Sequence, residues 1–502
     1  MKKYDVAIIG SGFGGLTCGY ILSKNGYKVA VFEKHSQIGG CLQTFERKGI
    51  TFDTGMHYFG SMDQGQLLHR IFNYLGLLNE VNVHKLDPDG FDHILLNDKE
   101  YRFAMGFRNF TDTLTEYFPD DRNTIAQYVS DLQKFSESSP ILGANKLLNN
   151  EFFKRETLKT GIGAYLDSLT SNLKLQNVLS ATNMLYAGNR DKTPLYIHAF
   201  ISNFYIQSAW RIIGGANTIA NSLRRSIERH GGEVLTDSEV NKIVCNTSKA
   251  TSIILTSGEI IDTKYIISNT HPVVTLKMLD TPLIKRVYRE RISSVENTVS
   301  NFTLYLEFKP DTVPYLNYNF YKYNHGDVWD CTSYTQNDWP RNYIYMHQVP
   351  QRNMAFAESG ILISYMQFGE VAKWSETYIE KRGEDYRLFK EAKKEILLQE
   401  LENDFPGIRS KIKNVYTSSP LTLRDYTGTK DGSMYGILKD KNYLEMTFIS
   451  HRTKVPNLFF TGQNINSHGI LGVAVGAFIT SSEFIELEKD IKDIFKTSSS
   501  EV

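Results

Sequence analysis

The feature that most constrains this chain is a run of four glycines within six residues, directly after its first apolar stretch. The apolar run Val6–Ile9 is followed by Gly10-Ser11-Gly12-Phe13-Gly14-Gly15, and the segment Leu16–Lys24 then leads to a second apolar run ending at Phe32. This order predicts a strand, a tight turn, a helix and a second, parallel strand. The glycines allow the turn and the close packing of the helix, whose N-terminus offers free N–H groups to a diphosphate. The sequence therefore predicts a dinucleotide-binding unit.

An acidic residue stands where such a unit needs one. Glu33 follows Gly15 by 18 positions and ends the second predicted strand. Its carboxylate is placed to accept hydrogen bonds from the hydroxyls of an adenosine ribose, and it would repel a 2′-phosphate. This position disfavours NADP. The alternative interpretation of the glycine run is a turn with a purely structural role.

Two further segments favour FAD over NAD. A second glycine pair, Gly39-Gly40, comes soon after Glu33 and would bring more backbone N–H groups to the same diphosphate. Near the C-terminus an apolar stretch ends in Thr461-Gly462-Gln463, and a helix of small residues is predicted to begin near Gly469. The N-terminus of that helix suits the negatively charged edge of a reduced flavin.

Composition excludes several classes of function. The 56 Lys and Arg residues balance 56 Asp and Glu residues, so the chain has no basic surplus with which to hold nucleic acid. The 12 His residues show no metal-binding spacing, and no Gly-x-Ser-x-Gly elbow of a serine hydrolase is present. The 29 Tyr and 29 Phe residues suit either an apolar substrate tunnel or an aromatic core.

These motifs resemble the flavin-dependent phytoene desaturase superfamily, and within it the retinol saturases and carotenoid isomerases. The similarity extends over almost the whole chain and is most specific in Phe52-Asp53-Thr54-Gly55-Met56-His57-Tyr58. Cys41 stands where many relatives have arginine, which agrees with the retinol saturase pattern. The other segments that carry the resemblance are Thr44-Phe45, His198-Ala199, Gly214-Gly215, Thr461-Gly462-Gln463 and Gly469.

The resemblance implies an α/β fold in which a Rossmann-type FAD-binding domain is interleaved with an α+β substrate-binding domain. We expect the FAD-binding domain to comprise residues 1–75, 205–295 and 450–502, and the substrate-binding domain residues 76–204 and 296–449. The implied FAD-binding residues are Gly10, Gly12, Phe13, Gly14, Gly15, Glu33, Lys34, Gly39, Gly40, Cys41, Thr54, Gly55, Met56, His57, Val240, Gly462, Gln463, Gly469, Ile470 and Leu471.

The implied activity is that of an FAD-dependent oxidoreductase acting on C=C bonds of a polyene or isoprenoid lipid. Saturation is preferred because of the likeness to retinol saturases, and desaturation and isomerisation are the other possible directions. Besides the flavin, such a reaction needs one group that donates or accepts a proton. The resemblance places His57 near the flavin, where it either relays this proton or only hydrogen-bonds the cofactor. His198 and Tyr205 are the second candidates.

Two alternatives remain open on the sequence. A flavin amine oxidase shares the cofactor framework but oxidises C–N bonds, and its substrate needs an acidic or aromatic-caged entry. A flavin-binding protein without catalytic activity is the other. Because a single dinucleotide fingerprint is present, a saturase would take electrons from an unidentified donor: a protein, a quinone or a transiently bound nicotinamide.

The cysteine pattern and hydropathy indicate a location. The four cysteines are far apart and include no Cys-x-x-Cys pair, which predicts a reducing, cytoplasmic setting. No apolar run approaches the ~18 residues of a membrane span. We therefore expect peripheral membrane contact, through an apolar rim between Phe110 and Tyr165.

Three secondary-structure patterns outside the dinucleotide unit are informative. Ile125, Tyr128, Val129 and Leu132 have the spacing of an amphipathic helix. The alternation in residues 302–308 predicts a half-buried strand. The aromatic-rich segment from Tyr315 to His347 is interpreted as loop and edge strand.

Overall fold

The computed structural model describes residues 2–137, 156–487 and Ile494. Within these residues the strands are β1 (Lys2–Ile9), β2 (Val29–Phe32), β3 (Thr44–Arg47), β4 (Ile50–Asp53), β5 (Phe59–Gly60), β6 (Val83–Lys85), β7 (Asp92–Leu96), β8 (Lys99–Phe103), β9 (Ala209–Ile212), β10 (Glu233–Leu235), β11 (Val240–Cys245), β12 (Ala250–Leu255), β13 (Ile260–Ser268), β14 (Ser300–Phe308), β15 (Asn319–Tyr323), β16 (Asn342–His347), β17 (Ser359–Met366), β18 (Ile412–Ser418) and β19 (Leu458–Phe460).

The helices connect these strands and cover their sheets. They are α1 (Phe13–Lys24), α2 (Leu67–Tyr74), α3 (Phe107–Tyr117), α4 (Arg122–Glu137), α5 (Glu156–Lys159), α6 (Ile162–Leu169), α7 (Leu173–Leu179), α8 (Leu195–Gln207), α9 (Asn217–Arg229), α10 (Pro272–Lys277), α11 (Arg286–Ser293), α12 (Glu384–Asp404), α13 (Ile408–Lys411), α14 (Pro420–Thr427), α15 (Leu444–Thr447) and α16 (Gly469–Ser481). Helix α4 has the predicted amphipathic face, with the four apolar residues buried.

The first sheet contains the predicted strand, turn, helix and parallel strand. Its order is β10-β2-β1-β13-β12-β11, with β19 also paired to β13. Ile8 of β1 lies between Val31 of β2 and Ile267 of β13, both in parallel register. These three side chains are fully buried, because parallel strands are covered by helices on both faces. Helix α1 begins at Phe13, three residues before the predicted start.

The second sheet has the order β18-β14-β17-β16-β15-β7-β8. It is antiparallel except where β15 pairs with β7. The predicted strand at residues 302–308 is present as part of β14, but the prediction that it is half-buried is wrong, since every residue of β14 is buried. Phe302 and Leu304 pack in an apolar cluster with Leu397 of α12. Thr303 and Tyr305 point to the opposite face, which borders an internal cavity. The polar side chains of β14 therefore alternate because they line a cavity rather than because they face solvent.

The interpretation of residues 315–347 as loop and edge strand is right for the irregular residues 324–341 and wrong for the strands. This segment supplies β15 and β16, which both lie inside the second sheet. Tyr321 and Tyr345 are fully buried on these strands. The high tyrosine content therefore fills the two covered faces of an inner part of the sheet.

A small third sheet has the strand order β5-β9-β6. Its strand β9 carries Arg211, a guanidinium that is only 2% exposed. Arg211 donates hydrogen bonds to the carbonyl oxygens of Leu316 and Tyr318 and to Oδ1 of Asn319. These bonds tie the third sheet to the start of β15.

Candidate cofactor and substrate site

The first glycine turn is built so that only glycine fits at its closest approaches. Gly10 has a φ of +92°, a left-handed conformation that other residues avoid. A Cβ at Gly15 would lie 2.2 Å from the carbonyl oxygen of Gly10. Helix α1 thus packs directly against the turn after β1, as the sequence predicts for a diphosphate-binding helix.

Glu33 ends β2 beside this turn and holds its shape. Its Oε2 accepts hydrogen bonds from the backbone N–H (3.0 Å) and the hydroxyl (2.6 Å) of Ser11. Its Oε1 accepts the backbone N–H of His35 at 3.0 Å. The side chain is buried. These three charge-assisted hydrogen bonds fix the position of the carboxylate next to the start of α1.

The second glycine turn lies against the first. Gly39 (φ +116°) and Gly40 (φ +57°) are both left-handed, and Gly39 forms a parallel bridge with Gly12. The backbone N–H of Gly39 donates to the Ser11 hydroxyl at 3.0 Å. A Cβ at Gly40 would come within 3.1 Å of the Gly12 Cα. The two turns therefore form one cradle of closely spaced backbone groups.

Asn269 is a residue at this cradle that the sequence reasoning missed. It follows β13 directly, at the carboxyl end of the parallel strands, and its amide faces the glycines. Added Cβ atoms at Gly12, Gly14 and Gly462 would lie 2.6, 2.7 and 2.5 Å from its side-chain amide atoms. The signal that could have found it is a polar residue immediately after a buried parallel strand.

Three other predicted FAD-binding residues, Lys34, Val240 and Leu471, lie outside the two glycine turns. The ammonium of Lys34 donates to the carbonyl oxygen of Asp425, in α14, at 2.9 Å. Val240 is the first residue of β11, and the backbone N–H of Ser238, just before it, donates to the Glu33 carbonyl. Leu471 is buried in the first turn of α16.

A cavity of about 520 Å³ continues from this region to the second sheet. Nine of the predicted residues line it: Gly40, Cys41, Thr54, Gly55, Met56, His57, Tyr205, Gly469 and Ile470. The N-terminus of α16 thus borders the cavity. The structure brings together segments that lie more than 400 positions apart in the sequence.

The far wall of the cavity comes from the second sheet and was not predicted residue by residue. Asn301, Thr303 and Tyr305 contribute from β14, and further wall residues are Ile344, Met346, Ile363, Tyr416, Met434, Tyr435 and His468. The wall residues on strands β14, β16, β17 and β18 alternate with core residues, a signal indistinguishable in sequence from core packing, whereas Met434, Tyr435 and His468 lie outside the strands. Arg47 is the charged residue of the lining, and no carboxylate is among the described residues of this wall.

Both histidines of the cavity are held neutral at physiological pH. Burial lowers the pKa of His57 to about 4, and the charge of Arg211 adds to this. His57 Nδ1 is buried and has no hydrogen-bond partner among the described residues. Burial also lowers the pKa of His468 to about 4. Its ring packs against Tyr435 with centroids 4.4 Å apart, and its Nε2 lies 3.0 Å from the Leu185 carbonyl oxygen.

Tyr205 and His198, the second candidates for the proton-transferring group, lie in different parts of the fold. Tyr205 lines the cavity, and its hydroxyl donates to the Tyr58 carbonyl oxygen at 3.4 Å. His198 lies in α8 and does not line the cavity. Its Nε2 is 2.7 Å from the Tyr128 hydroxyl and its Nδ1 is 2.9 Å from the Tyr186 hydroxyl. Burial lowers its pKa to about 3, so His198 is a neutral, fully hydrogen-bonded residue of the helical core.

Two features of the described residues bear on other functions. Between residues 2 and 487, leaving out 138–155, no three His, Cys, Asp or Glu side chains are grouped to hold a metal ion. No described helix has both the length and the apolar character needed to cross a bilayer.

The residues present fit FAD. The joined glycine turns bring backbone groups close together at the start of α1, Glu33 lies beside them, and His57, a lining residue of the cavity, has a buried Nδ1 without a hydrogen-bond partner among the described residues. Together with the parallel sheet, these features define a dinucleotide-dependent oxidoreductase. The chain belongs to the flavin-containing amine oxidoreductase family, which it matches over residues 13–480, and the prediction of FAD as the cofactor is confirmed.

Two curated relatives and one solved structure are similar to this chain over most of its length. Human all-trans-retinol 13,14-reductase is 27% identical over 543 residues, which cover 98% of this chain and 88% of the human protein. The 4,4′-diapophytoene desaturase of Staphylococcus haemolyticus is 23% identical and covers 96% of this chain and 98% of its own. The crystal structure of an oxidoreductase from Methanosarcina mazei has the same fold, with a TM-score of 0.65, 18% identity and coverage of 95% and 99%.

Proposed function

We propose that this chain is an FAD-dependent saturase that adds hydrogen across a C=C bond of a polyene or isoprenoid lipid. The observation that carries the proposal is the cavity itself. It extends from the predicted flavin-edge residues into a wall of Tyr, Met and Ile side chains that suits an apolar chain. The likeness to a retinol reductase across 98% of the chain supports the direction of the reaction.

We propose the same division into domains as the sequence suggests. All seven strands of the first sheet come from residues 1–75, 205–295 and 450–502, and all seven strands of the second come from residues 76–204 and 296–449. The third sheet joins β6 from the second group to β5 and β9 from the first. Residues 138–155 and most of 488–502 lie outside the described part of the chain.

Different residues of the chain would bind the cofactor and the substrate. Bound FAD, once reduced, supplies a hydride. The glycine turns and Glu33 would hold its diphosphate and ribose, and Gly469 and Ile470 would present the N-terminus of α16 to the flavin ring. Ile344, Met346 and Ile363 exclude water and lay the substrate chain along the cavity. A proton must also reach the second carbon of the double bond.

The alternative of an amine oxidase shares the family and the cofactor framework. An amine that is protonated in water needs a carboxylate or an aromatic cage to draw it in. The described lining residues carry tyrosines but no carboxylate, and their charged group is the cation Arg47. This charge pattern favours an uncharged substrate.

Single-turnover kinetics test the proposal. Enzyme reduced with dithionite is mixed without oxygen with all-trans-retinol or with a C30 carotenoid, and flavin absorbance and product mass are followed. Saturation predicts re-oxidised flavin and a product heavier by two hydrogens. An unchanged mass with altered geometry would indicate isomerisation. Two further reactions start from the oxidised enzyme: reduction of its flavin by the lipid without oxygen would indicate desaturation, and peroxide release with amines in air would indicate the amine oxidase.

We expect His57→Gln to act on cofactor binding more than on turnover. Its imidazole is neutral, and its free Nδ1 is suited to a hydrogen bond with the flavin. At matched FAD content the single-turnover rate is expected to stay within about threefold of wild type, far from the 10²–10⁴-fold loss typical of removing a general acid. The FAD content of the purified variant is expected to fall. A rate loss of about 100-fold at full FAD content would instead make His57 the proton donor.

We propose peripheral membrane association, because a polyene substrate partitions into lipid. The expected rim from Phe110 to Tyr165 is only partly described, and the large apolar side chains in its described part are not among the exposed ones. We expect flotation with neutral liposomes to carry a substantial fraction of the protein upwards. A second gradient with anionic liposomes measures how much the headgroup charge contributes to binding. A protein that remains wholly at the bottom of both gradients would contradict membrane contact.

A further inference from the structure

A buried carboxyl group lies outside the cavity lining and outside the residues proposed to bind FAD or substrate. Asp92 begins β7 and is 0% exposed. Its Oδ1 accepts a hydrogen bond from the Asn319 side-chain amide at 2.7 Å, and its Oδ2 accepts the Tyr58 hydroxyl at 3.2 Å. None of the described residues forms a salt bridge with it. Such a carboxyl is costly to keep ionised.

Tyr58 connects this carboxyl to the cavity. Tyr58 is a lining residue of the cavity, as its neighbour His57 is, and its hydroxyl also bonds to the Tyr321 hydroxyl. The ring packs against that of Tyr205, another lining residue, with centroids 4.8 Å apart. Tyr58 is therefore the residue that links Asp92 to a molecule in the cavity.

The surroundings place the titration of Asp92 in the neutral range. Burial raises its pKa to about 7, opposed by the hydrogen bonds from Asn319 and Tyr58 and by the charge of Arg211. Burial also raises the pKa of Tyr58 well above its usual value, so this phenol does not lose a proton to water at neutral pH. The charged and titratable groups that interact with Asp92 are Tyr58, Tyr205, Tyr321, Tyr323 and Arg211.

We propose that Tyr58 delivers the proton for C=C saturation and that Asp92 resupplies Tyr58 through their hydrogen bond. This inference rests on the proposed function. The hydride that reduced FAD supplies adds to one carbon with its two electrons. The Tyr58 O–H bond breaks and the π electron pair of the substrate takes that proton at the other carbon. The Asp92 O–H bond then breaks to restore the phenol, and solvent returns a proton to Asp92 before the next turnover.

A purely structural role for Asp92 predicts different behaviour. Asn319 and Asp92 face each other across β15 and β7, so the carboxyl also fastens these strands together. Losing that contact would reduce stability and FAD content without changing how the rate depends on pH. The proton-supply role predicts a change in the pH profile itself, and it predicts that Tyr58 and Asp92 act as one unit.

The test compares Asp92→Asn and Tyr58→Phe with the control Asp404→Asn. Asp404 is also a mostly buried carboxyl that accepts a tyrosine hydroxyl, from Tyr343, but it does not line the cavity. The first measurement is an infrared pH titration of each protein. A carboxylic-acid C=O band that disappears as the pH rises through about 7 is expected in wild type and Asp404→Asn. We expect the component of this band that titrates near 7 to be missing in Asp92→Asn, while a component from the buried Asp53, whose pKa burial raises to about 6, remains.

The second measurement is the single-turnover oxidation of reduced flavin by the polyene, followed across neutral pH at matched FAD content. The wild-type and Asp404→Asn rates are expected to fall as the pH rises above about 7, because the proton is then lost from Asp92. Asp92→Asn is expected to be at least about tenfold slower at low pH and flat across the range. Tyr58→Phe is expected to be about 10²-fold slower, with no further loss in the double variant.

Each result decides the question. An unchanged pH profile in Asp92→Asn, or Tyr58→Phe within about threefold of wild type, would overturn proton delivery by this pair. If Asp92→Asn does not retain FAD, Tyr58→Phe, which keeps the ring and removes only the hydroxyl, carries the same decision. If wild-type flavin is oxidised by neither lipid, the proposed function fails; the infrared titration then still reports whether Asp92 holds a proton, and the absence of its band would refute the inference independently.

Discussion

Gly15→Ala is expected to destabilise the protein by about 3 kcal/mol and to abolish retention of FAD. Alanine normally stabilises a helix relative to glycine by about 1 kcal/mol. At Gly15 this gain is outweighed, because the new Cβ would lie 2.2 Å from the backbone carbonyl oxygen of Gly10. Either α1 or the turn after β1 must move, and the free N–H groups at the start of α1 then lose their position.

Gly476→Ala is the matched control for this prediction. Gly476 is also an interior residue of a buried helix, α16, but an added Cβ would meet no atom within 4 Å. We expect it to keep FAD and to raise the thermal midpoint slightly. The measurements are the flavin-to-protein absorbance ratio after gel filtration and the thermal midpoint at a fixed scan rate. Equal behaviour of the two variants would show that the close approach at Gly15 has no consequence.

Glu33→Lys is expected to weaken FAD binding by about 100-fold or more. The change removes the acceptor of three hydrogen bonds, from the Ser11 backbone, the Ser11 hydroxyl and the His35 backbone. Without these bonds the Ser11 turn loses the shape that presents its backbone to the diphosphate. The lost charge-assisted bond to the ribose, of about 1.5–3 kcal/mol, adds to this effect, and 1.4 kcal/mol corresponds to tenfold in affinity. The cation would also face ribose hydroxyls that need an acceptor.

Glu116→Lys makes the same charge reversal at an exposed position of α3 and is expected to leave FAD binding unchanged. Equilibrium dialysis of FAD against the deflavinated proteins measures both dissociation constants. Stoichiometric FAD in Glu33→Lys at wild-type affinity would remove Glu33 from the binding site.

The nucleotide end of the site could be predicted because its determinants are local in sequence. A buried strand, a turn of positive φ and a tightly packed helix each impose a residue type within a few positions, as Gly10 and Gly15 show. Asn269 has no such local signature. Its importance depends on β13 lying next to β1, a pairing between residues more than 250 positions apart.

The two strand errors have a common cause. Residues 302–308 alternate as a surface strand would, and residues 315–347 look irregular. An alternating pattern shows that the two faces of a strand differ, but it does not show what covers each face. In the fold, one face of β14 packs on α12 and the other borders the cavity. Burial of polar side chains such as Asn301 and Thr303 follows from that arrangement alone.

The sequence by itself determined the class of fold and the cofactor, since the glycine turns and Glu33 are dictated by sterics and hydrogen bonding within short segments. It also indicated His57 and Tyr205, which the structure places on the cavity wall. Only the tertiary structure decided that His198 lies among core tyrosines and that Asp92 lies behind Tyr58. The pKa of a buried group depends on the side chains that fold around it, and those come from distant strands and helices.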